Sequence, residues 1–363
     1  MSDLSKEKIE KALSEIMDVN LQQDLVTADA VKEIAIEGNR VDLQLELGYP
    51  ANGYKDELSA EVLAHLQQLD ASAEINIDIS FKIVTHSVQK GVKPLKNIKN
   101  TIAVASGKGG VGKSTTSVNL ALALQAEGAR VGILDADIYG PSQPRMLGCQ
   151  AKPDSPDGKS IEPNISYGIQ SMSIGYLVNE ETPMIWRGPM VTSALEQLLG
   201  DTNWDELDYL VIDLPPGTGD IQLTLCQKIP VSGAMIVTTP QDIALLDARK
   251  ALKMFEKVDV PVFGIVENMS THICSECGHE EHIFGSGGGA QMSEQYGVDL
   301  LGSLPLDMSI REAVDNGRPT VAMDADSKIT ALYRDIARKT AAKLSLQAKD
   351  YSNKFPKIVV ENA

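Results

Sequence analysis

The chain has 363 residues, 43% hydrophobic and 23% charged, and 33 Lys and Arg against 50 Asp and Glu leave a formal net charge of −17. That apolar content fills a large core and rules out wholesale disorder, while so acidic a chain repels phosphate backbones and disfavours general nucleic-acid binding. Four cysteines exclude a disulfide scaffold, no apolar run reaches the ~18 residues that span a bilayer, and Met1-Ser2-Asp3-Leu4-Ser5-Lys6-Glu7 lacks the apolar core of a secretion signal.

These features predict a cytoplasmic protein with reduced thiols and neither nucleic-acid nor membrane partners. Residues 1–89 hold 7 Lys/Arg against 17 Asp/Glu, so most of the negative charge sits there. Ile9, Leu13, Ile16 and Met17 fall at helical spacing. Val41, Leu43 and Leu45 alternate with polar residues, as do Ile75, Ile77 and Ile79, which is the pattern of half-buried strands. The order helix, strand, strand, helix, strand makes 1–89 a small α+β domain. Its histidines, His65 and His86, are isolated and it has no cysteine, so a scaffold or docking role is expected. Residues 90–100 are basic and carry Gly91 and Pro94, which reads as a linker; a basic phosphate-binding arm is the alternative.

From Thr101 short apolar runs alternate with helices. Strands are predicted at 102–105, 131–134, 209–212, 234–237 and 262–266, near-continuous apolar segments as in a parallel sheet covered on both faces. A helix over 115–127 stops at Gly128. This is a doubly wound α/β domain with a mainly parallel sheet, assigned to 101–349. Its last helix runs over 329–346, and 350–363 forms a tail. Ligands of such sheets bind beyond the carboxyl ends of the strands.

At the carboxyl end of the first of these strands stands Gly107-Lys108-Gly109-Gly110-Val111-Gly112-Lys113-Ser114, which satisfies G-x-x-x-x-G-K-[ST] between a strand and a helix. Backbone N–H groups of such a loop close around phosphate oxygens, and the helix N-terminus adds partial positive charge. Lys113 is expected to reach the β- and γ-phosphates of ATP, the Ser114 hydroxyl to ligate Mg²⁺, and Thr115 to hold the α-phosphate end. Asp213 follows an apolar strand in the Walker B arrangement and is expected to bind Mg²⁺ through water. Asp135 and Asp137, two apart at the end of the second strand, are assigned to the metal and to the attacking water respectively.

The loop K-G-G-V-G-K-S, the pair Asp135-x-Asp137 and Asp213-Leu214-Pro215-Pro216-Gly217 resemble the deviant Walker A ATPases, the group of MinD, ParA and the nitrogenase iron protein. The resemblance implies a face-to-face homodimer over ATP. Lys108 would then reach the nucleotide of the partner chain and neutralise charge developing during phosphoryl transfer. It also implies a place for Gly217 in a switch loop and an adenine contact for Asn268.

The window 272–282 holds two of the four Cys and three of the five His. Its Cys274-x-x-Cys277 reads as a redox dithiol, as a zinc site with His279 and His282, or as part of an iron–sulfur site. The polar, glycine-flanked context disfavours the first. A [4Fe–4S] cluster usually takes four thiolates, and one chain offers two here. Two chains around a two-fold axis supply the missing pair. Cys226 reads as a buried small hydrophobe, and Cys149 follows the first switch segment. Further matches are Leu134-Asp135-Ala136-Asp137-Ile138-Tyr139-Gly140-Pro141-Ser142, Trp186-Arg187-Gly188-Pro189-Met190, 213–220 and Glu267-Asn268-Met269-Ser270 ahead of the cysteines. Together these resemble the Mrp/ApbC branch of iron–sulfur cluster carrier ATPases over about 97–345, and the first 89 residues resemble the MIP18-type domain that often precedes it. Gly48-Tyr49-Pro50-Ala51 lacks the cysteine that free-standing relatives of that domain carry.

The resemblance implies a labile [4Fe–4S] cluster, received from assembly machinery and passed to apo client proteins with slow ATP hydrolysis. Rival readings are a partitioning or positioning ATPase, a regulatory ATPase with structural zinc, and a reductase like the nitrogenase iron protein.

Overall fold

The computed structural model describes residues 5–178, 188–274 and 276–350; Trp186, Arg187 and the tail from 351 lie outside the described residues. Helix α1 (Lys6–Leu13) starts at Ser5, whose hydroxyl accepts the Lys8 N–H, and buries Ile9, Ala12 and Leu13. A two-residue ladder of β1 (Met17–Asp18) and β2 (Gln23–Asp24) follows. Strands β3 (Val31–Glu37) and β4 (Arg40–Leu47) form an antiparallel pair, and helix α2 (Lys55–Leu69) leads into β5 (Glu74–Phe81), parallel to β4. Along β4 every second residue (Val41, Leu43, Leu45 and Leu47) is buried, as a strand with one covered face requires.

The second sheet has eight strands. They are β6 (Ile98–Ala105), β7 (Val131–Asp135), β8 (Asn164–Ser166), β9 (Ile169–Ser173), β10 (Leu207–Asp213), β11 (Gly233–Thr238), β12 (Val262–Glu267) and β15 (Leu300–Ser303), in the order β15-β12-β11-β6-β10-β7-β9-β8. All neighbours are parallel except β8 and β9. The small strands β13 (His272–Ile273) and β14 (Glu280–Glu281) make a separate hairpin. The helices are α3 (Lys113–Ala126), α4 (Gln143–Met146), α5 (Gly188–Gly200), α6 (Asp220–Lys228), α7 (Asp242–Lys257), α8 (Gly288–Tyr296), α9 (Met308–Asp315), α10 (Thr320–Met323) and α11 (Lys328–Ser345). Every residue of β7, β10 and β11 is buried, which explains their unbroken apolar sequences. No described helix is long and apolar enough to cross a membrane.

The predicted linker is shorter than 90–100. Strand β6 begins at Ile98, and Leu207 and Tyr209 of β10 pair with Ile98 and Asn100. Lys99 and Asn100 hide this start because their polarity breaks the apolar run. Lys99 pairs with Asp208 at 2.7 Å, and the buried Asn100 amide donates to the Val84 carbonyl at 2.9 Å. Gln89 is also no free end. Its amide donates to the Cys226 and Ile229 carbonyls at 2.8 and 2.6 Å, and its oxygen accepts the Val231 N–H at 2.8 Å.

The small sheet docks on the large one through a seam between distant parts of the chain. Buried apolar residues of both, from Ile9 to Leu344, form one continuous cluster. At its edge Glu127, fully buried just past the end of α3, accepts from Arg334 and Arg338 of α11, each at 2.8 Å. Its other oxygen accepts the Gly53 N–H at 2.7 Å, and its carbonyl accepts the Asn52 N–H at 3.1 Å. A side chain at Gly53 would meet the Arg334 guanidinium, which would have to shift from its place beside Glu127. A bridge between His86 and Lys349, with bonds Ser87 N–H to Ala348 O and Asp350 N–H to Thr85 O, closes the other end.

Glu127→Ala leaves two arginines facing a partly buried site without their carboxylate. We expect a loss of about 2–4 kcal/mol, read as a lowered midpoint in urea denaturation. His86 is fully buried, and burial holds its imidazole below the ordinary histidine range, against the pull of the Asn100 hydrogen bond. It stays neutral in the folded chain where the unfolded chain protonates it. Its contribution is therefore full above about pH 6.5 and is lost as pH falls below that. Between about pH 7.5 and 5.5 the melting temperature of His86→Gln is expected to fall less than that of the unaltered chain; equal falls would exclude His86 as the cause.

Candidate functional site

Residues 106–112 join β6 to α3 at the carboxyl edge of the large sheet. Gly110 (φ +81°) and Gly112 (φ +83°) take the left-handed conformation that other residues avoid, and this folds the loop back over the helix start. Gly107 runs against the α7 backbone at Asp247, where no Cβ fits. Gly112 caps α3 without a side-chain hydrogen bond, so the first helical N–H groups face the loop. A cavity of ≈190 Å³ opens there, lined by Lys108, Gly109, Gly110, Gly112, Lys113, Ser114 and Thr115 together with Ser106, Asp137, Met146 and Pro216. Val111 is buried beneath it. Lys108, Gly109, Gly110, Gly112, Lys113, Ser114 and Thr115 thus share one concave surface, while Gly107 and Val111 lie off it. Gly217 (φ +100°) donates its N–H to the Ser106 carbonyl at 2.9 Å, which brings the Pro215-Pro216-Gly217 loop onto the same rim. The Lys108 ammonium makes no ion pair or hydrogen bond among the described residues and is half-buried at the cavity wall.

One layer deeper lies Asp213, fully buried. The Lys113 ammonium pairs with its Oδ1, which also accepts from Ser117 Oγ at 2.9 Å. Its Oδ2 accepts from Gln143 Nε2 at 2.8 Å, and the same Gln143 nitrogen reaches the Ser114 carbonyl at 3.1 Å. Lys113 Nζ also lies 3.1 Å from Ser114 Oγ. Ser117 and Gln143 were not singled out from sequence. Ser117 sits four residues after Lys113, on the same face of α3, and that spacing was a usable signal. Gln143 meets Asp213 across 70 positions of sequence, and nothing local announces it.

The two carboxylates after β7 separate differently from the expectation. Asp135, assigned to the metal from sequence, is fully buried, does not line the cavity and is saturated by donors. It accepts from the N–H groups of Asp137, Ser142 and Gln143 and from Ser173 Oγ, at 2.9 to 3.2 Å. It ties down the loop that leads into α4. Asp137 is the one on the cavity wall. Burial, and then the neighbouring Asp213 charge, push the Asp135 carboxyl up to about 7; burial also raises Asp137.

Asn268 follows β12 behind the phosphate loop. Its Nδ2 donates to the Val111 carbonyl at 2.9 Å and its Oδ1 accepts the Met269 N–H at 3.0 Å. Each end of the amide thus makes one bond to backbone and keeps one N–H and one lone pair.

Cys274 and Cys277 occupy the tip of the β13–β14 hairpin. The Cys274 N–H donates to the His279 carbonyl and the Gly278 N–H to the Cys274 carbonyl, both at 2.9 Å. Cys277 is exposed and Cys274 half-buried. The N–H groups of Cys277 and Glu276, and then the Cys277 thiol, hold the Cys274 thiol below its usual range. Among the described residues no three His, Cys, Asp or Glu side chains converge as a metal would need, so His279 and His282 do not complete a zinc set with the thiols. The Nδ1 of His282 lies 3.1 Å from the Ser270 carbonyl. Cys226 is buried in apolar surroundings, which push its thiol up to about 12; Cys149 is half-buried.

Gly112→Ala would force a left-handed alanine into the Asn268 amide. A loss of about 1–3 kcal/mol is expected, measured as a denaturation midpoint; an unchanged midpoint would mean that the amide moves aside freely.

Comparison with known proteins agrees with this geometry. Residues 97–341 match the family model described as NUBPL iron-transfer P-loop NTPase, and 6–78 match that of iron–sulfur cluster assembly proteins. The chain is 49% identical over 348 residues to the iron–sulfur cluster carrier protein of Salmonella typhimurium, covering 96% of this chain and 94% of the relative. It is 48% identical over 280 residues to the iron–sulfur cluster transfer protein NUBPL of Mus musculus, covering 77% and 88%. A nucleotide-binding protein from Archaeoglobus fulgidus, solved with ADP, superimposes with a TM-score of 0.55 at 36% identity, over 64% of this chain and 90% of that one. With the family model matched over 97–341 and close identity over nearly the whole chain, the chain belongs to the NUBPL iron-transfer P-loop NTPase family.

Proposed function

We propose that the chain is a cytoplasmic iron–sulfur cluster carrier. Two copies hold a [4Fe–4S] cargo between paired Cys274 and Cys277, receive it from assembly machinery and pass it to apo client proteins, in step with binding and slow hydrolysis of Mg·ATP. The observation that carries this is the thiol pair itself. It is accessible, one thiol is acidified, and no third ligand converges on it among the described residues. Soft thiolates suit iron–sulfur clusters, and two such pairs make the usual set of four. A two-fold axis through the hairpin tip supplies the second pair, and the exposed Ile273 and Ile283 beside it offer apolar surface for the contact. The names of the relatives support the same cargo.

The nucleotide site fits ATP with Mg²⁺. Bound phosphate would draw the Lys113 ammonium away from Asp213. That frees a carboxylate which, with the Ser114 hydroxyl, has the hard oxygen chemistry Mg²⁺ prefers. The metal supplies charge neutralisation for phosphoryl transfer. Asp137, on the cavity wall, is the carboxylate placed to orient an attacking water. Lys108 lines the same space and has no competing partner among the described residues, so it would be free to reach a nucleotide held by a second copy. ATP promotes transfer only if the nucleotide states hold the cluster differently.

The test is anaerobic reconstitution with iron and sulfide, followed by iron, sulfide, zinc and mass determination. About two irons and two sulfides per chain in a dimer are expected, and both are lost in the Cys274→Ala, Cys277→Ala chain, which keeps its ATP hydrolysis. One zinc per chain without sulfide would replace this reading with a structural zinc. Lys113→Ala is expected to bind the cluster and fail to deliver it to an apoprotein; loss of cluster binding in that variant would show that the two sites are not separable.

A further inference from the structure

We propose that the groove between α6 and α7 docks an acidic segment of the apo client protein, whose carboxylates pair with Arg249, Lys253 and Lys257. The identity of the partner rests on the carrier reading above; the preference for carboxylates does not.

The groove encloses ≈450 Å³. One wall is the start of α6, at Thr218, Gly219 and Asp220, and the other is one side of α7, with Arg249, Lys250, Lys253 and Lys257. Leu223 and the buried Met254 add apolar surface between them. The stripe of charge follows from the helix. Ala244, Leu245, Ala248, Ala251, Leu252 and Phe255 of α7 are buried in the core, so the polar residues take the outer side. Arg249, Lys253 and Lys257 stand four residues apart and repeat along that side at about 6 Å. Carboxylates four apart on a helix, or two apart on a strand, repeat at about 6–7 Å, which is the same interval.

These cations are available to a partner. Arg249 and Lys257 make no ion pair among the described residues, and the buried Arg249 Nε has no hydrogen-bond partner there. Lys250 and Lys253 pair at 2.8 Å with Asp247 and Glu256 of the same helix, and surface pairs of this kind hold their charges weakly. The Arg249 guanidinium and the Lys253 ammonium lie over the Tyr296 ring, 5.8 and 5.7 Å from its centre, which steadies both heads. Against the four cations the lining sets a single carboxylate, Asp220. On a chain of net charge −17 this is a local reversal of sign. The overall charge turns away a nucleic acid, whose phosphates continue past the groove, and admits a short acidic segment that meets only the groove.

The position suits a client. Pro216, two residues before Thr218, lines the phosphate cavity, and Gln222 of α6 donates to its carbonyl at 2.7 Å. The α7 backbone at Asp247 runs against Gly107 of the phosphate loop. Tyr296 ends α8, the helix that follows the cysteine hairpin. A segment docked here therefore touches the elements that frame both the nucleotide and the thiols.

The probes are a fluorescein-labelled helical peptide with glutamates four residues apart, its glutamine counterpart, citrate and a single-stranded DNA oligonucleotide. Each is titrated into the full, cluster-free chain. The glutamate peptide is expected to bind at least about tenfold more tightly than the glutamine peptide, and to weaken several-fold between about 50 and 300 mM salt. Lys253→Ala with Lys257→Ala removes that preference and Lys253→Arg with Lys257→Arg keeps it, both with unchanged melting temperature and ATP hydrolysis. In cluster transfer to an apo-ferredoxin, a small acidic acceptor, the alanine chain needs at least about fivefold more acceptor for half-maximal rate at equal cluster content. Equal binding of the two peptides, or an alanine chain that keeps the preference, would overturn the groove. Tighter binding of citrate or of the oligonucleotide than of the glutamate peptide would do so too. A shift of the alanine chain from dimer to monomer would make this face a contact between copies and overturn the proposal. Unchanged transfer by an alanine chain that has lost the peptide would remove the client as occupant. A chain that takes up no cluster and still discriminates the peptides would fell the carrier reading, and the client with it, while the carboxylate groove stands.

Discussion

The structure is organised around the burial of Asp213. A carboxylate with no solvent must be surrounded by donors, and those donors come from two separate helices beside the site. Lys113 and Ser117 reach it from α3, and Gln143 from α4. The register of the sheet sharpens the constraint by pairing Asp213 of β10 with Asp135 of β7, which sets two acids side by side at the carboxyl edge. Burial first, and the adjoining Asp213 charge second, raise the Asp135 carboxyl, so the pairing carries a cost. It is contained by three backbone N–H groups and the Ser173 hydroxyl, which spread the Asp135 charge over the loop entering α4. A ligand that takes Lys113 from this network disturbs all its members at once. A nucleotide switch requires such a shared dependence.

Much of this was legible in the sequence, where chemistry and local pattern coincide. The phosphate loop is contiguous, so its residues fall together on one surface. The five central strands are buried on both faces, so they read as apolar runs. What the sequence hid were relations across distance or against polarity. Asn100 and Lys99 belong to a strand because partners in β10 and the 84–86 segment satisfy them. The Asp135 and Asp137 roles depend on which side chain the turn after β7 points inward, and a spacing of two residues does not decide that. Asn268 sits where a base contact was expected, and its bond to the Val111 carbonyl, across 157 positions of sequence, is one that no local pattern announces.

In the proposed carrier the cysteine pair would be half of a site. Two thiols on a short hairpin would bind a cluster weakly alone and strongly as two halves, so occupancy and assembly would become one event. The weak partner count within one chain is consistent with a cargo that has to leave.

The seam between the two sheets has a consequence for how the chain is made. Its first side, 49–53 and 82–89, leaves the ribosome early. Its second side, Arg334, Arg338 and 345–350, leaves among the last residues described. At about 5–20 residues per second, the acidic first unit waits roughly a quarter of a minute to a minute for the arginines and carbonyls that complete its docking face. Glu127 emerges soon after the first side and stays without its arginines until α11 is synthesised. The small unit therefore spends that interval with its seam face uncovered, carrying an excess of negative charge that opposes association with another copy.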